Sequence, residues 1–123
     1  MPILDFSIVL QESEILDSDL AQRLANKAAS ILASAPGTVW VRLHPIPKNN
    51  YAENGIDERD APSPVFVEIL KSKNEDMKTR TNEIMLFSSE FSKILNRPVE
   101  NIHILYLPEA SGRIAFGGKV KLG

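Results

Sequence analysis

Four short apolar segments along the chain predict the strands of one sheet. They are rich in valine, isoleucine and leucine, which favour strands, and turn-forming residues separate them. In the second segment apolar and polar residues alternate, so its two faces would meet different surroundings. The predicted strands occupy residues 3–10, 38–44, 65–71 and 101–107.

Two longer segments carry an apolar residue at every third or fourth position and predict amphipathic helices. The first begins at Leu20 and continues for about five turns to a stop at Pro36-Gly37. The second extends from Met77 to Leu95. Clusters of aspartate, serine and asparagine precede both segments and would cap their first turns.

The order strand, helix, strand occurs twice along the chain. The two halves, about residues 1–60 and 61–123, are joined by the proline- and asparagine-rich connection of residues 45–64, which has room for a short strand. Each half predicts a crossover between parallel strands. Together they predict one α+β domain, a doubled β-α-β unit with a four-stranded mixed sheet and two helices on one face. The strands are apolar on both faces, so we expect another subunit to cover the second face; the alternative is a second face that is simply mixed in polarity.

The bulk composition excludes several classes of function. A chain of 123 residues with a net charge of −2 has no general attraction to nucleic acid or to an anionic membrane. The absence of cysteine excludes disulfides and thiol nucleophiles, and His44 and His103 are too few for a histidine-rich metal site. No apolar run approaches the ~20 residues of a membrane span, and the first residues lack a signal-peptide pattern. We therefore expect a cytoplasmic protein with no metal and no membrane partner.

Three further segments carry features beyond the β-α-β pattern. The chain starts with Met1-Pro2-Ile3 and passes directly into a strand, residues 99–104 read VENIHI, and residues 112–119 form the glycine-rich tail GRIAFGGK. Together with the doubled unit, these segments resemble the tautomerase superfamily, with its macrophage migration inhibitory factor and 4-oxalocrotonate tautomerase groups. The resemblance covers nearly the whole chain. It implies a homotrimer that catalyses keto–enol tautomerisation of a 2-oxo acid or enol without a metal or an organic cofactor.

The resemblance assigns the role of catalytic base to Pro2, which requires the removal of Met1. While Met1 is attached, the Pro2 nitrogen is a tertiary amide and cannot accept a proton. Once freed, the secondary amine can titrate closer to neutral pH, because an apolar pocket and nearby cations both lower the pKa of an amine. Considered by its position alone, Pro2 is better explained as an ordinary residue at the start of a strand, and only the resemblance over the whole chain favours the role of base.

Four side chains are candidates to bind an anionic substrate, on the strength of the resemblance. Lys73 follows the third predicted strand, at a position similar to a substrate-binding arginine of the 4-oxalocrotonate group. Trp40 and His103 lie where that group has an arginine, so its usual carboxylate clamp is missing. His103 could donate a hydrogen bond instead, and Arg42 or Arg113 could replace the lost charge. A solvated Lys73 and a surface or interface salt bridge at Arg42 are the alternatives.

Three apolar side chains, Trp40, Ile114 and Phe116, are candidates for the pocket wall that shields the base from water. Core packing is the alternative role for the last two. Because the first and third strands should be adjacent, Pro2 and Lys73 are expected to meet in one pocket, at a boundary between subunits. A dehalogenase or decarboxylase on the same fold, and a non-catalytic binding or structural trimer, are the alternative functions.

Overall fold

Two helices, a four-stranded sheet and a short C-terminal hairpin make up the computed structural model, which describes residues 2–123. The strands are β1 (Ile3–Val9), β2 (Trp40–Ile46), β3 (Val65–Leu70), β4 (Ile102–Tyr106), β5 (Ala115–Phe116) and β6 (Lys119–Val120). The helices are α1 (Leu20–Leu32) and α2 (Met77–Leu95), and short 3₁₀ turns occupy Lys48–Asn50 and Val99–Asn101. The predicted removal of Met1 falls outside the described residues.

The sheet has the strand order β2-β1-β3-β4. β1 runs parallel to β2 with Ile3 opposite Trp40, and β3 runs parallel to β4 with Val65 opposite Ile102. The two halves join through the antiparallel pair β1 and β3, in which Ile3 lies opposite Leu70. A right-handed crossover through a helix is the usual way to connect parallel strands, so each half is a β-α-β unit. The predicted doubled unit and mixed sheet are confirmed.

Both helices cover the same face of the sheet. Every second residue of β1 and β3, starting from Leu4 and Val65, is buried and belongs to one core with the apolar stripes of the two helices. In this core Phe6 of β1 meets Phe91 of α2 edge to face, with ring centroids 4.9 Å apart. Phe91 also stacks on Phe87 at 5.1 Å. The predicted α+β class, with two helices on one face, is therefore confirmed.

Helix α1 is shorter than the sequence pattern predicted. Its last residue is Leu32, because Ala33 adopts the left-handed conformation with φ of 51°. The Ser34 N–H then donates to the Ala29 carbonyl at 2.9 Å, which closes the helix before the predicted stop at Pro36. Within residues 2–123, neither helix combines the length and the apolar composition needed to cross a bilayer.

Strand β2 lies further along the chain than predicted, and includes Pro45, which is the register partner of Ile8. A proline has no N–H for a sheet hydrogen bond, and it is tolerated here because β2 is an edge strand. The following connection, residues 47–64, contains a 3₁₀ turn at Lys48–Asn50 and no strand.

The face of the sheet away from the helices is mixed, whereas the sequence pattern suggested an apolar one. Phe66 and Leu105 are exposed apolar side chains on this face, at 38% and 59% of their full exposure. Charged side chains lie beside them on the same face. Glu68 is the register partner of Leu105, and Asp5 is the partner of both Arg42 and Glu68. We call this surface the open face. Its apolar part still leaves an area that a second subunit could cover.

One buried arginine ties the end of the sheet opposite Pro2 together. The Arg97 side chain is 1% exposed, and its Nη atoms donate to both carboxylate oxygens of Glu14 at 2.6 and 2.8 Å. It also donates to the backbone carbonyls of Val9, Ser63 and Leu95. Burial is the largest single influence on the pKa of Glu14 and would raise it, but the hydrogen bonds from Arg97 and from the Gln11 N–H, together with the charge of Arg97, hold that pKa below its usual value. This cluster is structural, since it fastens the chain segments that leave β1 and α2.

Candidate active site

A small polar cavity lies where β1 begins and β3 ends. The two strands are antiparallel neighbours, so the start of one and the end of the other meet at the same end of the sheet. The cavity has a volume of about 200 Å³. It is lined by Pro2, Leu32, Ser34, Lys71, Ser72, Lys73 and Glu75. The expected meeting of Pro2 and Lys73 in one pocket is therefore what the structure shows.

Pro2 is half-buried and held by the edge strand, because its carbonyl accepts a hydrogen bond from the Trp40 N–H at 3.0 Å. The register of β1 and β3, continued by one position from the pair Ile3 and Leu70, brings Pro2 opposite Lys71. The Pro2 ring is thus fixed on the helix side of the sheet, at the end of α1. A side chain held in this way needs little reorganisation before it contacts a ligand.

Lys71 borders the same cavity and was not among the predicted site residues. Its side chain is 11% exposed, and its Nζ donates to both carboxylate oxygens of Glu83 on α2 at 2.8 Å. The Tyr106 hydroxyl on β4 donates to the same carboxylate. Burial, and then this hydrogen bond to Glu83, hold the pKa of Tyr106 far above its usual value.

Sequence periodicity contained a signal for this buried pair. Lys71 continues the every-second-residue pattern of Val65, Val67 and Ile69, which points to the core. Glu83 precedes Phe87, Phe91 and Leu95 at four-residue spacing on the buried stripe of α2. Two opposite charges at core positions on neighbouring elements are best explained as partners, since an unpaired buried charge is very unfavourable.

Lys73 lies at the exposed rim of the cavity. Among residues 2–123, no carboxylate lies within 4.0 Å of its ammonium group. Glu75 borders the same cavity and adds a negative charge to the rim. Lys73 is therefore the cation of this cavity that has no ion pair of its own in the described chain.

Arg42 and His103 lie on the open face and do not reach the Pro2 cavity within one protomer. Arg42 donates from Nε and Nη2 to the two carboxylate oxygens of Asp5, at 2.7 and 2.8 Å. His44 Nε2 lies 3.0 Å from the same carboxylate. The hydrogen bond from Arg42 is the main reason that the pKa of Asp5 falls below its usual value. Of the two roles considered for Arg42, the surface salt bridge is the one present in the protomer.

His103 borders a separate groove of about 390 Å³ on the open face, together with Phe66 and Leu105. Its ring centroid lies 5.3 Å from that of Phe66. The predicted contact of His103 with substrate is therefore not made inside one chain. Alternation along β4 explains this, because the residues on either side of His103 face the core and His103 itself faces outwards.

Arg113 caps its own turn instead of facing Pro2. Its guanidinium donates to the carbonyls of Glu109 and Pro108, and the side chain is exposed. The proposal of Arg113 as a substrate-binding residue is thus not supported within the protomer.

The side chains of the three predicted wall residues do not line the Pro2 cavity. Trp40 and Phe116 meet edge to face at 5.2 Å and line a different cavity, of about 290 Å³, with Lys121. Trp40 is the register partner of Ile3, whose side chain faces the opposite side of the sheet from Pro2. Ile114 accepts a backbone hydrogen bond from Lys121 in the terminal hairpin and does not line the Pro2 cavity.

Within residues 2–123, no group of three histidine, aspartate or glutamate side chains is placed to bind a metal ion. The groups that line the Pro2 cavity include the ammonium groups of Lys71 and Lys73, the hydroxyls of Ser34 and Ser72 and the carboxylate of Glu75. Ammonium groups can stabilise a carboxylate or an enolate, and a neutral amine can accept a proton.

The fold of this chain is similar to that of several solved structures. No protein-family model matches the chain, and no curated protein matches its sequence. Solved structures do match. A fused 4-OT described as a symmetric trimer has a TM-score of 0.76 at 11% identity, over 97% of this chain and 94% of that one.

Two other solved structures show the range of proteins with this fold. Macrophage migration inhibitory factor from Oncomelania hupensis has a TM-score of 0.75 at 19% identity, over 98% of this chain and 82% of that one. FG41 malonate semialdehyde decarboxylase, inhibited by 3-bromopropiolate, has a TM-score of 0.69 at 12% identity, over 94% of this chain and 88% of that one. At these identities the likeness establishes a shared fold.

Proposed function

From the tautomerase-superfamily fold of this chain, we propose that it is a cofactor-independent keto–enol tautomerase in which Pro2 is the general base. The observation that carries the proposal is the cavity that joins Pro2 to the cation Lys73. A base for a carbon acid and a fixed positive charge for the substrate are the two parts that the reaction needs.

Removal of Met1 would convert the Pro2 nitrogen into a secondary amine. In the neutral form this amine would take a proton from the carbon next to the ketone of a 2-oxo acid. The electron pair of the broken C–H bond would form a C=C double bond, while the π pair of the carbonyl would move to its oxygen and give an enolate. Transfer of the proton to the enolate oxygen would give the enol, and in the reverse direction Pro2 would return it to carbon, so neither direction changes the oxidation state.

The surroundings of Pro2 favour this protonation state. The ammonium group of Lys73, which has no ion pair in the described chain, borders the same cavity, and a nearby cation disfavours a positive charge on the proline nitrogen. The Lys73 ammonium would bind the substrate carboxylate. The hydroxyls of Ser34 and Ser72 are available to donate a hydrogen bond to the enolate oxygen.

We also propose that the active assembly is a homotrimer. The fused 4-OT that shares this fold is described as a symmetric trimer, and the likeness extends over nearly the whole length of both chains. The open face offers exposed apolar side chains, Phe66 and Leu105, that association would cover. In such a trimer, His103 and Arg42 could approach the Pro2 cavity of a neighbouring subunit.

A decarboxylase is the second candidate function, because malonate semialdehyde decarboxylase shares the fold. A dehalogenase relative and a non-catalytic trimer are further alternatives on the same scaffold. In a tautomerase and in a decarboxylase alike, the Pro2 cavity would bind a carboxylate. The product therefore distinguishes them, because only the decarboxylase releases carbon dioxide.

The test begins with mass spectrometry of the N-terminus, to obtain protein that is verified to lack Met1. That protein should ketonise small enols of 2-oxo acids, followed by ultraviolet absorbance, and should release no carbon dioxide from malonate semialdehyde. Protein with Met1 retained is the matched control and should be inactive. Equal activity in both preparations would refute the role of Pro2, and inactivity of the Met1-free protein on every enol would favour the non-catalytic trimer.

A further inference from the structure

We propose that Glu83 sets the charge preference of the Pro2 cavity: by neutralising Lys71, it leaves Lys73 to bind ligands and makes the cavity select a small monocarboxylate over a dicarboxylate. The inference rests on the proposed function in one respect, that the Pro2 cavity is the ligand site. Glu83 does not border the cavity, so it is a positioning residue that acts through Lys71.

The pairing of Lys71 with Glu83 is close to complete. Both side chains are about one-tenth exposed, and both carboxylate oxygens accept from the same ammonium at 2.8 Å. Tyr106 donates a further hydrogen bond to Glu83 and holds the carboxylate in place. With two of its three N–H groups directed at Glu83, the Lys71 ammonium has little remaining capacity to bind a ligand anion.

Stability alone does not account for this pair. Two charges taken out of water lose hydration, and well-packed apolar residues of the same size often give equal or greater stability. A neutralised lysine beside Pro2 does, however, change what the cavity can bind. Lys71 lines the cavity, whereas Glu83, on α2, does not line it. Removal of the Glu83 charge would therefore add one net positive charge directly at the cavity.

The remaining charges on the cavity suit a single anionic group. Lys73 offers one ammonium without an ion pair in the described chain, and Glu75 on the same boundary repels a second carboxylate. A volume of about 200 Å³ is below the ~300–1,000 Å³ of pockets for drug-sized ligands. The ligand class that fits is a monocarboxylate with few carbon atoms.

Crotonate and fumarate provide a matched pair of probes, since both have a four-carbon unsaturated skeleton and they carry one and two carboxylates. Their binding to Met1-free protein can be measured by isothermal titration calorimetry, without turnover. Wild-type protein should bind crotonate more tightly than fumarate. In Glu83→Gln the affinity for fumarate relative to crotonate should rise about tenfold, the effect of one added, partly screened charge on a ligand of higher charge.

Glu90→Gln is the matched control, because Glu90 lies on the same helix, pairs with Lys27 and Lys93, and does not border the cavity. It makes the same change in net charge and should leave the affinity ratio unchanged. A shift of the ratio in Glu90→Gln as large as in Glu83→Gln would overturn the inference.

Glu83→Gln leaves a buried ammonium without a carboxylate, so its folding must be checked by thermal unfolding. The double variant Lys71→Gln/Glu83→Gln removes both charges, avoids that problem, and should keep the wild-type preference for crotonate. Loss of crotonate binding in the double variant would show that Lys71 itself binds the ligand and would overturn the inference. The inference would also be overturned if the wild-type protein bound fumarate more tightly than crotonate, or if it bound neither ligand.

Failure of this inference and failure of the proposed function give different results. The predicted binding pattern in a protein that converts no enol would uphold the role of Glu83 and refute the tautomerase. An active tautomerase with an unchanged affinity ratio in folded Glu83→Gln would refute the role of Glu83 alone.

Discussion

Pro2 and Lys73 border one cavity, at the end of the sheet where β1 begins and β3 ends. Their closeness follows from the antiparallel pairing of the two strands, in which Ile3 lies opposite Leu70. A cavity of about 200 Å³ brings both residues within reach of one small ligand. The pair therefore provides the most direct tests of the proposed reaction.

Replacement of Pro2 by alanine should slow enol ketonisation by roughly 10² or more, since general-base catalysis contributes about 10²–10⁴-fold. The variant offers a primary amine on a freely rotating backbone instead of a fixed ring. Pro45→Ala, on the exposed edge strand β2, is the matched control and should keep wild-type kcat. Steady-state kinetics on Met1-free proteins check this, and a Pro2→Ala enzyme with wild-type kcat would contradict the mechanism.

Lys73→Gln should raise the KM for a carboxylate substrate while it changes kcat little. Lys73 is exposed, so its pairing with a carboxylate is expected to be worth about 0.2–1 kcal/mol, or a rise of up to about fivefold in KM. The effect should shrink as the salt concentration rises. Lys78→Gln, an exposed lysine outside the cavity, should leave KM unchanged. A salt-independent KM in the wild type would count against this role of Lys73.

Arg97→Met should lower the free energy of unfolding by about 3–5 kcal/mol, because it leaves the Glu14 carboxylate and three buried carbonyls without their donor. Arg59→Met removes an ion pair with Asp57 whose arginine is 88% exposed, and should change stability by less than about 1 kcal/mol. Urea unfolding at one fixed protein concentration, followed by the fluorescence of Trp40, measures both. Similar losses in the two variants would show that Arg97 is not a structural tie.

Stability should fall in acid partly through Asp5. The pKa of Asp5 is lower in the folded chain than its ordinary value of 3.8, mainly because Arg42 donates to its carboxylate. The stabilisation is fully present above pH 3.8 and is lost as the pH falls through the lower folded pKa. Asp5→Asn should therefore be less stable than the wild type at pH 6 and approach it near pH 2.

Urea unfolding across this pH range tests the prediction, with Glu12→Gln, an exposed carboxylate, as the control. A constant difference between Asp5→Asn and the wild type at all pH values would exclude a role for the titration of Asp5.

The open face should be buried in a homotrimer. Leu105 is 59% exposed there, and Leu105→Asp would place a charge in the proposed interface. Light scattering at micromolar concentration should give a trimer for the wild type and a monomer for this variant. Met85 is a similarly exposed apolar residue on α2, at 65%, so Met85→Asp is the control and should remain a trimer. A monomeric wild-type protein would refute the assembly.

Sequence periodicity determined the architecture because it reflects local geometry. The 3.6-residue stripe of α2 predicted the observed helix from Met77 to Leu95. The repeated order of strand, helix and strand restricted the topology to parallel pairs joined in one sheet. The meeting of Pro2 and Lys73 followed from that topology, since it required only the adjacency of β1 and β3.

The tertiary structure decided which charged and aromatic side chains share a site. The family resemblance grouped Arg42, His103 and Trp40 with Pro2, but alternation along β2 and β4 turns their side chains away from the Pro2 cavity. The pairing of Lys71 with Glu83 depends on how α2 lies across β3, a distance between two elements that no local pattern specifies. Backbone periodicity is a property of neighbouring residues, whereas an ion pair requires two side chains from distant segments to reach the same few ångströms.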